Sequence, residues 1–258
     1  MESVLPHRAA QLLGDARRVV ILTGAGISAE SGVPTFRDDL TGLWARFDAQ
    51  QLATAEAFHA EPDLVWGWYE WRRARVRRAE PNSGHLAIAT IESRTPDTTV
   101  ITQNVDDLHE RAGTRAAIHL HGSLFTPHCV TAAAHPATFP DPPDGEAAVP
   151  HEGRRISPPR CASCQALVRP GVVWFGEALP EAALTTAAEA ATTCDVFLTI
   201  GTSGVVYPAA EIPRIAASSG ATVIQVNPQP TPLDQIAAIN LRGTATQVLP
   251  TLVAAAWR

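Results

Sequence analysis

A glycine-rich segment has the residue types needed to bind a dinucleotide. Gly24-Ala25-Gly26-Ile27-Ser28-Ala29 follows the apolar run Arg18–Thr23 and fits the pattern G-x-G-x-x-G/A. In such turns glycine lets the backbone approach a pyrophosphate, whose charge is favoured by the N-terminus of the following helix. Dehydrogenases also carry a ribose-binding acid about 20 residues later. Asp48 has that spacing but no strand context. The pattern therefore favours dinucleotide binding over hydride transfer, with a purely structural turn as the alternative.

Two further segments could supply a base and hydrogen-bonding groups. His121 follows a short apolar stretch and precedes Gly122, and a histidine there suits general-base work because its ordinary pKa is near 6.5. The alternative is a structural, hydrogen-bonded histidine. His119, two residues earlier, is predicted to be structural. Gln103-Asn104-Val105-Asp106 also follows an apolar run, and its alternative is a strand-to-helix turn capped by aspartate.

Tyr69 and Arg72 are three residues apart in a segment of helical character, which places the phenol and the guanidinium on one helix face. The alternative is a packing role. Trp66, Tyr69 and Val76 would then form a buried stripe, and the neighbouring arginines would lie in solvent. Spacing alone leaves both interpretations open.

The cysteines indicate a reducing compartment. Four cysteines in 258 residues are too few for a disulfide framework. Cys161 and Cys164 have the C-x-x-C spacing typical of metal ligands or redox pairs. Cys194 lies next to a predicted strand and is interpreted as a buried apolar residue.

Short β-branched runs alternate with alanine-rich stretches along most of the chain. The predicted strands are Arg18–Thr23, residues 98–102, residues 195–200 and Thr222–Val226, and the predicted helices include residues 181–192 and 209–218. This alternation predicts an α/β fold with a Rossmann-like, doubly wound parallel sheet. Ligands are then expected at the carboxyl ends of the strands.

Two insertions predict a smaller module beside the sheet. The stretch from Pro127 to Pro159 holds eight prolines and almost no periodic pattern. The stretch 47–78 ends in an aromatic and arginine-rich run. We therefore predict one domain over residues 1–258. Its large lobe comprises about residues 1–46, 79–126 and 171–258, and its small module about residues 47–78 and 127–170.

Composition excludes several classes of protein. The chain is 45% hydrophobic and 18% charged, which is typical of a globular domain. Its 20 basic and 26 acidic residues give a net charge of −6, so no global positive field exists to bind nucleic acid. No signal-type apolar run and no stretch of 18 apolar residues is present, so we expect no membrane partner and a cytoplasmic location.

Several blocks in a fixed order carry a family resemblance. The sequence resembles the sirtuins in residues 24–37, 102–109, 121–123, 172–177 and 201–203, and residues 225–228 and 243–245 extend the likeness almost to the end of the chain. Sirtuins are NAD-consuming protein lysine deacylases with a Rossmann-type lobe and a smaller zinc-bearing module. The resemblance therefore implies that architecture, NAD as cofactor, acylated protein lysines as substrate, and release of nicotinamide and O-acyl-ADP-ribose.

The resemblance also implies roles for individual residues. His121 matches the base that deprotonates a ribose hydroxyl, and Asn104 would order the ribose and a water molecule. Val105 and Asp106 would hold the nicotinamide amide, Phe36 and Arg37 would cover the cofactor, and Asn227 would reach its adenosine side. The implied cofactor-binding set is Gly24, Ala25, Gly26, Phe36, Arg37, Gln103, Asn104, Val105, Asp106, Gly201, Thr202, Ser203, Asn227 and Ala245.

Residues 172–177 have the apolar pattern of a core strand. For the substrate, the resemblance assigns these residues to backbone pairing with a peptide. Val173, Trp174 and Phe175 would border the tunnel for the acyl-lysine chain. Tyr69 and Arg72 match the pair that marks sirtuins acting on succinyl and malonyl groups, because arginine can bind the distal carboxylate with two hydrogen bonds. Desuccinylase and demalonylase activity, accompanied by deacetylase activity, is the implied function.

The metal site departs from the family pattern of two C-x-x-C pairs. Here the first pair reads Cys129-Val130-Thr131-Ala132, which leaves Cys129, Cys161 and Cys164 as thiol ligands for zinc. His135 is the expected fourth ligand, ahead of His128 or His151. A metal-free module packed by proline-rich loops is the alternative.

Two other functions remain open from the sequence. A mono-ADP-ribosyltransferase or NAD hydrolase on the same scaffold would need neither Tyr69 nor Arg72. A catalytically idle NAD sensor would have no evident need for His121 and Asn104.

Overall fold

The computed structural model describes residues 4–33, 48–131, 137 and 154–258. Its centre is a parallel sheet of six strands in the order β3-β2-β1-β6-β7-β8. These strands are β1 (Arg18–Thr23), β2 (Asp97–Thr102), β3 (Ile118–His119), β6 (Val196–Ile200), β7 (Thr222–Val226) and β8 (Ile239–Leu241). A parallel sheet with this order and helices on both faces is the predicted Rossmann-like fold.

The strand order reverses between β1 and β6, which is where a doubly wound sheet opens a crevice for a ligand. Both strands read as continuous apolar runs because helices cover both faces of the sheet. In β1 every residue after Arg18 is buried, and in β6 all residues are buried. Thr23 pairs with Thr102 of β2 on one side and with Ile200 of β6 on the other. The three carboxyl ends therefore meet at one edge.

The helices form a layer on each face of the sheet. The helices of the described chain are α1 (Val4–Asp15), α2 (Ala49–Leu52), α3 (Ala55–Ala60), α4 (Pro62–Arg78), α5 (Ser83–Arg94), α6 (Leu108–Arg111), α7 (Glu181–Thr193), α8 (Ile212–Ser218) and α9 (Ala245–Ala256). One buried cluster joins α1, α5 and α9 to the sheet, and a second joins α7 and α8 to the opposite face. The sheet therefore lies between two layers of helices, as in the predicted doubly wound fold.

Helix α4 differs from the expected amphipathic helix. Its side chains are buried on most sides, including Trp66, Trp68 and Tyr69. Arg77 and Arg78 are exposed, but the other three arginines stack on tryptophan rings of the same helix: Arg72 on Trp68, Arg73 on Trp66 and Arg75 on Trp71. All 20 basic residues of the sequence are arginine, and a planar guanidinium can lie flat on an aromatic ring.

A second, smaller group of elements contains the cysteines. Strands β4 (His128–Cys129) and β5 (Val168–Arg169) form an antiparallel pair. A buried cluster of Trp66, Cys129, Cys161 and Val168 joins this pair to α4. The two predicted insertions thus contact each other, while the predicted boundaries of the lobe and the module stay a prediction.

Two local predictions are wrong. The Gly24 turn leads into short 3₁₀ helices, Ala25–Ile27 and Ala29–Ser31, and not into an α-helix. The strand-like segment 172–177 joins no sheet, since Val172 and Phe175 form only isolated bridges with Gly122 and Thr54. In both places side chains and tight turns outweigh the local apolar pattern.

Among the described residues, none of the helices combines the length and apolar character needed to cross a bilayer. The cytoplasmic location stays a prediction.

Candidate active site

His121 lies just beyond the end of β3 and faces the carboxyl edge of the sheet. Its Nδ1 is 2.9 Å from the carbonyl oxygen of Gln103. A carbonyl only accepts hydrogen bonds, so Nδ1 carries the proton and Nε2 is left with a lone pair. Burial lowers the pKa of His121 below its ordinary value, and the hydrogen bond to Gln103 only partly opposes this. The imidazole is therefore neutral at pH 7 and able to accept a proton.

Asn104 follows β2 and has 7% of its surface exposed. Its Nδ2 donates to Ser28 Oγ at 3.0 Å, and its backbone N–H donates to Thr102 Oγ1 at 3.0 Å. With one N–H of the amide used in this way, Oδ1 provides the acceptor of the carboxamide and the second N–H a further donor. Ser28 belongs to the glycine-rich turn, so this hydrogen bond joins two predicted site segments.

Two buried histidines lie behind Asn104, and sequence reasoning did not single them out. His109 Nε2 is 2.9 Å from Thr23 Oγ1, and His85 Nε2 is 3.5 Å from Ser28 Oγ. Their rings contact at a centroid distance of 5.1 Å. Burial lowers the pKa of His85 to about 4 and that of His109 to about 3. The only sequence signal was Asn82, whose side chain caps α5 three residues before His85.

The glycine-rich turn interlocks with the loop after β6. Gly24 N–H donates to Ile200 O at 3.0 Å, and Gly26 N–H donates to Gly201 O at 2.9 Å. A Cβ at Gly24 or Gly26 would lie 2.8 Å from Gly201 backbone atoms. Gly201 itself has φ +60°, which favours glycine. The two loops therefore form a cradle without side chains, where a pyrophosphate could approach the backbone.

The remaining predicted cofactor residues surround this cradle. Gln103 Nε2 donates to Thr202 Oγ1 at 2.9 Å, and Asn227 Nδ2 donates to Thr202 O at 2.8 Å. Ser203 follows directly. Ala245 begins α9 and packs against Gly84. Ala25 lies within the turn itself. Phe36 and Arg37 lie outside the described residues.

Val105 and Asp106 follow Asn104 directly in the chain. Asp106 is 4% exposed and accepts a hydrogen bond from Leu108 N–H at 3.2 Å. Burial raises the pKa of its carboxyl group. Val105 O accepts from Leu124 N–H at 2.9 Å, which leaves its apolar side chain to pack against the cluster around α4.

Tyr69 and Arg72 lie together where α4 meets the segment around Trp174. Tyr69 is 1% exposed, and its phenol oxygen accepts a hydrogen bond from Trp174 Nε1 at 3.1 Å. Burial raises the Tyr69 pKa to about 12. Arg72 is half-buried, with its guanidinium carbon 5.0 Å from the centre of the Trp68 ring. Burial lowers the Arg72 pKa, and the nearby Tyr69 and Asp106 oppose this shift, so the guanidinium stays charged.

The segment with Val173, Trp174 and Phe175 connects the base to this pair. Val173 N–H donates to His121 O at 2.9 Å, and Phe175 N–H donates to Ala53 O at 2.9 Å. Trp174 is 2% exposed, whereas Phe175 is 48% exposed. The Trp174 N–H donates to Glu177 Oε2. All three backbone N–H groups are thus used within the chain, so a peptide pairing here would use carbonyl groups or the Gly176 amide.

The three predicted thiol ligands lie together. The Sγ atoms of Cys129, Cys161 and Cys164 are all within 4.8 Å of one another, and those of Cys129 and Cys164 are 3.5 Å apart. One thiol on β4 and two thiols on a neighbouring turn are a suitable donor set for zinc. His128 is not part of this group, so that alternative ligand is wrong. His135 and His151 lie outside the described residues.

Comparison with known proteins decides the family. The family model described as the Sir2 family matches residues 24–208. The chain belongs to the Sir2 family. It is 58% identical over 244 residues to the NAD-dependent protein deacylase 1 of Pseudomonas aeruginosa, covering 94% of this chain and 96% of that protein. It is 56% identical over 246 residues to the NAD-dependent protein deacylase of Methylococcus capsulatus, covering 94% of each.

Solved Sir2 structures share the fold as well. The crystal structure of a Sir2 homologue in complex with NAD superimposes with a TM-score of 0.84 at 43% identity, covering 96% of this chain and 92% of that one. The predicted α/β fold, the resemblance to sirtuins and the NAD cofactor are confirmed. The chain is an NAD-dependent enzyme of this family. The cysteine group is compatible with zinc.

Proposed function

We propose that this Sir2-family enzyme is a protein lysine deacylase that prefers acidic acyl groups such as succinyl and malonyl. The observation that carries the preference is that the buried Tyr69 and the half-buried Arg72 lie side by side, next to Trp174. A cation and a phenol in an apolar, aromatic surrounding provide charge-assisted hydrogen bonds to a carboxylate. An acetyl group offers no partner for either. The proposed products are free lysine, nicotinamide and O-acyl-ADP-ribose.

In this proposal His121 acts as the general base on a ribose hydroxyl. Support comes from its neutral imidazole and from the hydrogen bond that leaves Nε2 unprotonated. The bond from Val173 N–H to His121 O fixes the backbone of the base next to the acyl-lysine segment. Such a base contributes roughly 10² to 10⁴ in rate.

Asn104 would orient the ribose and a water molecule through Oδ1, since Ser28 holds its amide nitrogen. Val105 and Asp106 would hold the nicotinamide amide. The carboxylate oxygens of Asp106 can accept hydrogen bonds from the N–H groups of that amide, and burial raises the pKa of this carboxyl group. When bound, NAD supplies the electrophilic ribose carbon and the nicotinamide leaving group.

The nucleotide would lie over the cradle of Gly24, Ala25, Gly26 and Gly201, with Thr202, Ser203 and Gln103 beside it. Support comes from backbone packing so close that a Cβ on Gly26 would overlap the neighbouring loop. Asn227 and Ala245 are proposed for the adenosine side, and Phe36 and Arg37 for the cover over the cofactor.

Peptide binding is proposed at residues 172–177, with Val173, Trp174 and Phe175 bordering the acyl-lysine chain. The exposed ring of Phe175 supports a contact surface at the mouth of this site. Recognition through backbone groups would make the enzyme largely indifferent to peptide sequence.

For the metal we propose zinc bound by Cys129, Cys161 and Cys164, with His135 as the fourth ligand. The close approach of the three thiols supports a common ion. Bound zinc would hold the two cysteine-bearing loops together and keep the thiols as thiolates.

The decisive experiment compares matched acetyl-lysine and succinyl-lysine peptides with NAD and purified protein. Mass spectrometry should detect deacylated peptide and O-acyl-ADP-ribose, with a higher kcat/KM for the succinyl peptide. Equal kcat/KM values would contradict the acyl preference. Release of nicotinamide without deacylated peptide would instead indicate an NAD hydrolase or ADP-ribosyltransferase, which the deacylase names of the relatives do not favour.

A further inference from the structure

The loop that carries Trp174 is closed by a partly buried ion pair, in which the Glu177 side chain is 30% exposed. Arg169 Nη1 lies 2.5 Å from Glu177 Oε1, and Arg169 Nη2 lies 2.9 Å from Glu177 Oε2. The same Nη2 donates to Val172 O at 3.0 Å. The Arg169 side chain is 11% exposed. Because a two-point guanidinium–carboxylate pair has one preferred geometry, it fixes the separation of the loop ends.

This ion pair also fixes Trp174 at several points. The Arg169 guanidinium carbon lies 3.4 Å from the centre of the indole ring. The Trp174 backbone N–H donates to Glu177 Oε2 at 2.8 Å, and Glu177 N–H donates to Trp174 O at 3.0 Å. Gly176, at φ +87°, supplies the left-handed residue that this tight turn needs. Ring and backbone of Trp174 are therefore both positioned by Arg169 and Glu177.

The indole in turn determines how Tyr69 can bond. An indole N–H can only donate, so in its contact with Trp174 the Tyr69 oxygen is the acceptor. The Arg72 guanidinium, which interacts with the same phenol, is also only a donor. Two donors occupy the lone pairs of the phenol oxygen. Its own proton is then left to be donated, and the matching partner is an acceptor such as a carboxylate.

We propose that Arg169 and Glu177 are positioning residues that, through Trp174, hold the Tyr69 phenol as a hydrogen-bond donor to the carboxylate of an acidic acyl chain. The part concerning the acyl chain rests on the proposed function. The part concerning Tyr69 can be measured in the enzyme without any substrate.

The substrate-free test uses the two tyrosines of the chain, Tyr69 and Tyr207. With tyrosine labelled by ¹³C at Cζ, the carbon bound to the phenol oxygen, NMR should show two signals. Trp174→Phe, which keeps the ring but removes the N–H, should shift the Tyr69 signal. Glu177→Gln and Arg169→Met should shift it in the same direction. Tyr207 is 61% exposed, and its unmoved signal is the internal control.

The kinetic test is a double-mutant cycle on the ratio of KM for succinyl peptide to KM for acetyl peptide. Loss of one neutral hydrogen bond should raise this ratio about two- to tenfold in Trp174→Phe. Glu177→Gln should raise it by less. In a Tyr69→Phe background, Trp174→Phe should add almost nothing, because the phenol on which it acts is gone.

A purely structural ion pair would lower the melting temperature and slow both peptides alike. An unmoved Tyr69 signal with an unchanged KM ratio in folded Glu177→Gln would overturn the proposal. A shifted Tyr69 signal in an enzyme without succinyl preference would support the positioning of Tyr69 and overturn the proposed acyl preference. The mild Glu177→Gln change keeps the test valid if Arg169→Met does not fold.

Discussion

The proposed nucleotide side of the site is formed by backbone contacts, whereas the proposed acyl side is formed by side-chain contacts. On the nucleotide side, Gly24, Gly26 and Gly201 bring two backbones into contact, and no side chain lies between them. On the acyl side, Tyr69 and Trp174 meet through side chains that are 105 residues apart in the chain. The first region depends on the absence of side chains at its glycines, and the second on contacts between large side chains.

This difference predicts how changes in the two regions should act. The proposed reaction uses NAD with every acyl substrate, so a change on the nucleotide side should affect the reactions of all acyl groups equally. A change on the acyl side should alter the ratio between acyl groups. The succinyl-to-acetyl ratio of kcat/KM therefore separates the two regions experimentally.

The largest effect is expected for His121→Ala. Removal of the base should lower kcat roughly 10²- to 10⁴-fold for succinyl and acetyl peptides alike. NAD binding, measured by calorimetry, should persist because the imidazole acts on a seated cofactor. The exposed His59 offers a control, since His59→Ala should leave turnover unchanged. Near-normal turnover in His121→Ala would remove the base from its role.

Arg72→Met should remove the preference for succinyl over acetyl groups. Loss of a charge-assisted hydrogen bond should reduce succinyl kcat/KM roughly 10- to 150-fold and spare acetyl kcat/KM. Arg75→Met is a matched control, because Arg75 also stacks on a tryptophan of α4. If Arg72→Met slowed both peptides equally, the arginine would have only a packing role.

Gly26→Ala tests the nucleotide cradle. The new Cβ would lie 2.8 Å from Gly201 backbone atoms, and overpacking of this kind costs about 1–3 kcal/mol. We expect the KM for NAD to rise about tenfold and the acyl ratio to stay constant. A changed acyl ratio would show that the two sides are mechanically coupled.

Acidification should lower the rates on both peptides equally and leave the acyl ratio unchanged. His121 must be neutral to act, and its lowered pKa places the loss of activity below about pH 6.5. His85 and His109, with pKa values of about 4 and about 3, are neutral in the folded protein but protonate when it unfolds. Their contribution to stability is full above pH 6.5 and is lost as the pH falls towards 4. Rates measured from pH 8 to 5.5 should fall in parallel for both peptides, and denaturant midpoints should fall with them.

The smallest effect on turnover is expected for removal of the metal. Purified protein should contain about one zinc per chain, and a chelator should lower the melting temperature without changing the ratio. Cys161→Ser should lose the metal, whereas Cys194→Ala should keep it. His135→Ala then tests the fourth ligand by zinc content. Protein grown with zinc, purified without chelator and found metal-free would favour a module held by packing alone.

The sequence predicted the backbone-built region better than the region built from side chains. Strands Arg18–Thr23 and Thr222–Val226 have the predicted bounds, because a strand buried on both faces reads as a continuous β-branched run. The glycine spacing predicted a backbone that a pyrophosphate can approach, and this stays a prediction; the structure shows that the same turn packs closely against the loop after β6. Such features are local, so a few consecutive residues contain the information.

The missed features depend on distant contacts. Nothing in the sequence indicates that His109 of α6 bonds to Thr23, or that His85 of α5 packs against His109. Segment 172–177 reads as a strand, yet an ion pair and a glycine turn determine its shape. The sequence pattern of α4 predicts arginines in solvent, yet Arg73 is buried with its guanidinium stacked on the Trp66 ring. Each of these outcomes is decided by tertiary packing.

The exclusive use of arginine has a chemical consequence for an enzyme of this family. A chain with 20 arginines and no lysine has no side-chain amine. Guanidinium groups stay protonated at cellular pH and are poor nucleophiles, so reactive acyl donors that label lysines would find no such target on this protein. The enzyme's surface charge would not change with the acylation level around it. No side chain of a second copy could compete with acylated substrates for the site.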